Sequence, residues 1–117
     1  MDDILTALDE VLAARKQASA EDSYVASLNA AGLNKILEKV GEETTEVILA
    51  AKDSVETGNT EALTHEVADL WFHLMVMLRH LDLDHTPVLQ VLDERMGLSG
   101  LGEKSRRKGH NAAPDAT

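Results

Sequence analysis

Cysteine is absent from this chain of 117 residues, which excludes disulfides, thiolate metal sites and a cysteine nucleophile. Aromatic residues make up only 3%, and strand formers are sparse beside Leu and Ala, which favour helix. Basic residues are outnumbered. Eleven Lys and Arg against 21 Asp and Glu leave a net charge of −10 with His neutral. That excludes the basic face with which proteins hold nucleic acid or membrane surfaces non-specifically. It also means that a phosphate-rich substrate must be met with metal ions and local Lys or Arg. No apolar run is long enough to span a bilayer; the longest, Leu70 to Leu78, is interrupted by His73. The start, Met1-Asp2-Asp3, lacks the basic residues and apolar stretch of a signal peptide. The expectation is a soluble cytoplasmic protein with no nucleic-acid or membrane partner.

With 44% hydrophobic residues, the chain can build one core, and its length suits a single domain, here 1–108 followed by a disordered tail at 109–117. The stretch from Lys39 to Asp69 carries the chemistry. Glu43 and Glu46 form one acid pair at i,i+3 spacing, and Glu66 and Asp69 form another. On helices such residues are surface neighbours, so two antiparallel helices would gather four carboxylates at one spot. Clustered carboxylates repel one another unless a cation neutralises them, and Mg²⁺ or Mn²⁺ is the cation that oxygen donors prefer. Taken alone, an E-x-x-E pair is also common as solvated surface charge.

In chain order, Ile4, Leu5, Leu8, Val11 and Leu12 space out a first helix from Ile4 to Lys16, with Asp2 and Asp3 as N-terminal caps. Gln17 to Asp22 reads as a linker, and Ser23 caps a short helix that Gly32 ends. A long helix follows over Leu33 to Val55, with Ile36, Leu37, Val40, Thr44, Val47, Ile48 and Ala51 on one face. Gly41 inside it reflects either a close approach of backbone or ligand, or ordinary tolerance. Thr57-Gly58-Asn59-Thr60 stops that helix and starts the next, from Glu61 to Leu81. This second helix is apolar nearly all round, save a polar strip of Glu66, Asp69, His73 and His80, so a partner chain is expected to cover one side. Trp71, Met75 and Met77 read as core or interface. Pro87 opens a last helix that ends near Met96-Gly97. The fold class is all-α, a helical bundle with a four-helix-type core completed by homodimerisation.

Four segments together resemble the phosphoribosyl-ATP pyrophosphatase family. They are Leu33 to Glu46 with Ala50-Ala51-Lys52, Glu66 to Leu74, Ser23 to Leu28, and Leu98 to Lys104. The acid pairs alone fit the broader all-α nucleotide pyrophosphatase superfamily, whose pattern is E-x-x-E then E-x-x-D. The resemblance implies a dimerising helical bundle that cleaves phosphoribosyl-ATP to phosphoribosyl-AMP and pyrophosphate with Mg²⁺, the second step of histidine biosynthesis. It implies Glu43, Glu46, Glu66 and Asp69 as metal ligands. Glu38 stands where the family more often has Lys, and Gly102 and Arg106 depart from its usual E-E-K-A-S-R ending. Without cysteine, a fused zinc cyclohydrolase domain is not expected.

Such a reaction needs water to attack a phosphorus of a highly charged polyphosphate, and Mg²⁺ both neutralises charge and acidifies water. Glu43 or Glu46 is the candidate for holding that water. Lys39, Lys52, Arg95, Lys104 and Arg107 are candidates for phosphate contacts; ordinary solubilising charge, or for Lys39 a helical partner in Glu43, is the alternative. His73, one turn after Asp69, either orients a ligand carboxylate or is a buried histidine satisfied by a neighbour. The H-E-x-x-H zinc motif fails because position 69 is Asp, and neither acid pair has the His at i+3 of a di-iron bundle. Two other functions fit these residues less closely: a housekeeping nucleoside triphosphate pyrophosphatase, and a non-catalytic acidic dimerisation module.

Overall fold

The computed structural model describes residues 4–97. Five helices and no strand occur among them: α1 (Ile4–Arg15), α2 (Tyr24–Ala31), α3 (Leu33–Thr57), α4 (Glu61–His80) and α5 (Thr86–Met96). The all-α expectation holds, with helix ends within about two residues of those read from periodicity. The chain divides into two compact units, Met1–Leu83 and Asp84–Thr117. The first contains α1 to α4, and α5 belongs to the second. The expected caps Asp2 and Asp3, the 109–117 tail and the Leu98 to Lys104 segment lie outside the described residues.

The local chemistry of the ends sets these elements. Ser23 caps α2 as its Oγ accepts from the Ala26 N–H at 3.2 Å. Gly32 serves two helices at once: its N–H donates to Leu28 O, and its carbonyl accepts from the N–H groups of Lys35 and Ile36. At the far end of α3, Gly58 adopts φ +75° and donates to Ser54 O at 2.9 Å, a left-handed cap that glycine adopts without strain. The chain then reverses through Asn59 and Thr60. Thr60 occupies the N-cap position of α4 without a side-chain bond. Asn59 supplies it instead, its Oδ1 accepting from the Glu61 N–H at 2.9 Å.

So short a connection leaves α3 and α4 as an antiparallel hairpin, and this pair makes the most extensive helix packing of the first unit. The core lies at the end of the hairpin opposite Gly58. Leu12 from α1, Val25 and Leu28 from α2, Ile36 from α3, and Met75 and Val76 from α4 are buried together. Each such side chain contributes about 1.5–3 kcal/mol by leaving water. Arg79 fastens α1 to α4 through a two-pronged contact with Asp9, at 3.0 Å from Nε and 2.7 Å from Nη2. Lys16 adds a bond to Arg79 O at 3.1 Å and an ion pair with Asp82 at 3.2 Å.

Away from this core the hairpin is thinly covered. The apolar face expected on α3 is split: Ile36 is fully buried, Val40, Val47 and Ala51 are half-buried, and Leu37, Thr44 and Ile48 are exposed. One neighbouring helix is narrower than that stripe, so its edges stay uncovered. On α4, Trp71 is 57% exposed, and Leu49 on α3 likewise 57%.

Two outcomes are expected from denaturant melts. Ile36→Ala should destabilise the protein by about 2–5 kcal/mol, since it opens a cavity at a fully buried position. Gly41→Ala should stabilise it by about 0.5–1 kcal/mol, because a Cβ there meets no atom within 4 Å and alanine is the better helix former. A drop in midpoint for Gly41→Ala would show that something else approaches this backbone.

Candidate functional site

Of the four acids expected at one spot, the hairpin brings three together. One carboxylate oxygen each from Glu43, Glu66 and Asp69 lie within 4.8 Å of one another. Glu43 and Glu66 are half-buried, while Asp69 is exposed. Glu46 stands outside this trio and is exposed, yet it belongs to the same field. Partial burial pushes the Glu66 carboxyl above the usual carboxylate range. The charges of Glu46, Glu43 and Asp69 push it further, and only His65 opposes them. Oxygen-only donors, crowded, partly desolvated and mutually repelling, form a set that a hard divalent cation fits. The donors come from both helices, so a cation held by all three would also hold α3 against α4.

His73 lies beneath this cluster and is buried. Its Nδ1 is 2.9 Å from the backbone carbonyl of Asp69 and 4.0 Å from Glu43 Oε2. Its Nε2 is 2.8 Å from the Tyr24 hydroxyl. Of the two readings of His73, the buried histidine satisfied by neighbours matches these contacts: it bonds with the main chain of Asp69 and with Tyr24. Phe72 meets the His73 ring edge-on at 5.0 Å between centroids, and Tyr24 stacks on Phe72 at 6.3 Å. Tyr24 is the site neighbour that sequence reading passed over. It was placed on a capped helix, but no local pattern announces a hydrogen bond between residues 49 positions apart.

The basic candidates are scattered. Lys39, one turn before Glu43, donates to Glu42 Oε1 at 3.3 Å and not to Glu43. That bond, with the nearby Tyr24 and Glu43, keeps its ammonium above the usual lysine range. Glu38, at the position where the family more often has Lys, is itself paired with Lys35 at 2.9 Å. Lys52 is exposed on α3, and Arg95 is exposed on α5 in the second unit. Lys104 and Arg107 lie outside the described residues.

Residues 5–96 match the family described as phosphoribosyl-ATP pyrophosphohydrolase. All four acids, Tyr24 and His73 fall within that span. A protein of Hydrogenovibrio crunogenus (strain DSM 25203 / XCL-2) named phosphoribosyl-ATP pyrophosphatase is 53% identical over 110 residues, covering 94% of this chain and 97% of that relative. A match over most of the helical chain, joined to a relative this similar along nearly its whole length, settles the kinship: the chain belongs to the phosphoribosyl-ATP pyrophosphohydrolase family.

Proposed function

We propose that this protein hydrolyses phosphoribosyl-ATP to phosphoribosyl-AMP and pyrophosphate, the second step of histidine biosynthesis, at the acid cluster of α3 and α4. The observation that carries the reading is the meeting of Glu43, Glu66 and Asp69 from two helices within 4.8 Å. The family and the name of the similar H. crunogenus protein support the substrate. In this reading Glu43, Glu66 and Asp69, with Glu46 beside them, hold Mg²⁺, with Mn²⁺ as a substitute. Bound there, the cation supplies charge neutralisation for the polyphosphate and a more acidic water.

The chain's own part is placement. Glu46, exposed and outside the trio, has a carboxylate available to orient the attacking water; Glu43 is committed to the trio and faces His73. Lys39 and Lys52 lie on the same helix as the first acid pair, where their charge complements a phosphate chain. Arg95, Lys104 and Arg107 are proposed for the ribose-phosphate end of the substrate. The uncovered apolar residues Ile48, Leu49, Val55 and Trp71 support a homodimer, in which a second copy removes them from water. No helix among the described residues is long and apolar enough to cross a membrane, and a cytoplasmic location accords with a biosynthetic role. A housekeeping pyrophosphatase acting on ordinary nucleoside triphosphates shares the acid pattern, but the 53% identity to a protein named for phosphoribosyl-ATP favours the first substrate.

A substrate panel that measures pyrophosphate release with and without Mg²⁺ tests the reading. Phosphoribosyl-ATP should be cleaved only with the metal, and far faster than ATP or deoxynucleoside triphosphates. Equal rates across the panel would favour the housekeeping activity, and no release from any substrate would leave a dimerisation module. Asp69→Ala and Glu46→Ala should each lower turnover by on the order of 100-fold or more, at or beyond the loss expected for residues that merely support ligands, with helical circular dichroism unchanged.

A stability measurement adds an independent check. The raised proton affinity of Glu66 means that its ionised form is penalised in the folded state. That penalty is fully present above the folded pKa and vanishes as pH falls below the ordinary value of 4.5. In EDTA at neutral pH, Glu66→Gln should therefore melt higher than the parent, and the gap should close on acidification. Mg²⁺ should raise the melting temperature of the parent more than that of the variant. A variant that melts lower in EDTA would rule out this repulsion.

A further inference from the structure

We propose that Tyr24 is a positioning residue for the cation site: its hydroxyl holds the His73 ring that faces Glu43 beside the α4 acids. The inference rests on the reading above that the carboxylate trio holds a divalent cation.

Two hydrogen bonds of the His73 ring have a defined polarity. The Asp69 carbonyl can only accept, so the Nδ1 that lies 2.9 Å from it must carry the proton. In a neutral imidazole Nε2 is then the bare nitrogen, and the Tyr24 hydroxyl 2.8 Å away is the donor that meets it. The chain of donors runs one way, from phenol to imidazole to main-chain carbonyl. Nδ1 also faces a second oxygen, Glu43 Oε2, at 4.0 Å. The Asp69 carbonyl fixes this tautomer, and the opposite one would aim a lone pair at both oxygens. The Tyr24 hydroxyl, donating to Nε2, pins the far edge of the ring and so holds the Nδ1–H edge between Asp69 O of α4 and Glu43 of α3.

The hydroxyl can be separated from the rest of the side chain. The Tyr24 ring stacks on Phe72, and the residue is half exposed, so Tyr24→Phe keeps the aromatic packing and removes only the donor. Leu12→Val does the opposite, loosening the core at a fully buried position of α1 and leaving the hydroxyl. The two variants therefore distinguish orientation of the site from general packing.

The test measures Mn²⁺ binding to metal-free protein by electron paramagnetic resonance, alongside thermal melts and the ¹⁵N spectrum of the His73 ring. The parent should show the Nδ1–H tautomer. Tyr24→Phe should keep that tautomer with a shifted Nε2 resonance and bind Mn²⁺ about 10-fold more weakly, the lower end of what loss of a supporting partner to a metal site brings. Its melting temperature should change little. In turnover, the Mg²⁺ concentration at half-maximal rate should rise by a similar factor while kcat at saturating Mg²⁺ stays close to the parent's. Leu12→Val should melt lower yet bind Mn²⁺ much as the parent does. The proposal is overturned if the parent shows the Nε2–H tautomer, if Tyr24→Phe binds Mn²⁺ as the parent does, or if affinity follows melting temperature in both variants. A parent that binds no Mn²⁺ removes the cation site itself and this inference with it. A parent that binds alongside an unaffected Tyr24→Phe removes the role of Tyr24 alone.

Discussion

Repulsion between carboxylates held on facing helices governs this molecule. α3 and α4 are joined so closely at Gly58 that they have no choice but to lie side by side. The same closure that buries Ile36 against Met75 and Val76 carries Glu43 towards Glu66 and Asp69. Apolar contact at one end therefore drives an electrostatically unfavourable contact further along. The fold tolerates it because the acids sit at the boundary with solvent, where water screens them. Complete burial would have forced protonation. A half-exposed cluster of oxygen donors is a set that a divalent cation fits.

Polar contacts tie the two preceding helices to α4. Asp9 and Arg79 tie α1 to the end of α4, and α2 presents Tyr24 to the ring of His73. The short α2 helix is thus more than a connector. Its capped start at Ser23 fixes where the following tyrosine points, and the following Val25, Ala26 and Leu28 anchor it in the core. Energy from apolar packing is in this way converted into the orientation of polar groups.

Much of this was legible in the residues. The all-α class, the helix order, the glycine stop at Gly58 and the pairing of the two acid motifs follow from periodicity and spacing, which are local properties. The partners of individual side chains were not legible. Lys39 bonds with Glu42 at i,i+3 and not with Glu43 at i,i+4, the helical partner that the alternative to a phosphate contact offered, because a lysine can reach either neighbour and spacing alone does not choose. Asn59 rather than Thr60 caps α4, since the backbone of Thr60 is already helical. Glu46 shares the acid pattern with Glu43, yet it falls outside the trio: the same three-residue step keeps Glu66 and Asp69 together, so spacing alone does not tell which members of the pairs converge. The Tyr24 contact needed the packing of α2 on α4, a tertiary event with no trace in either segment.

The tight reversal at Gly58, Asn59 and Thr60 also bears on how the protein reaches its native state. Contacts between residues near in sequence form before distant ones, because little chain entropy is lost in closing a short loop. The α3–α4 pairing is such a contact, whereas docking of α1 onto α4 closes most of the unit. Acid crowding is then met early along the folding path, so divalent ions would act on the rate of folding as well as on its equilibrium.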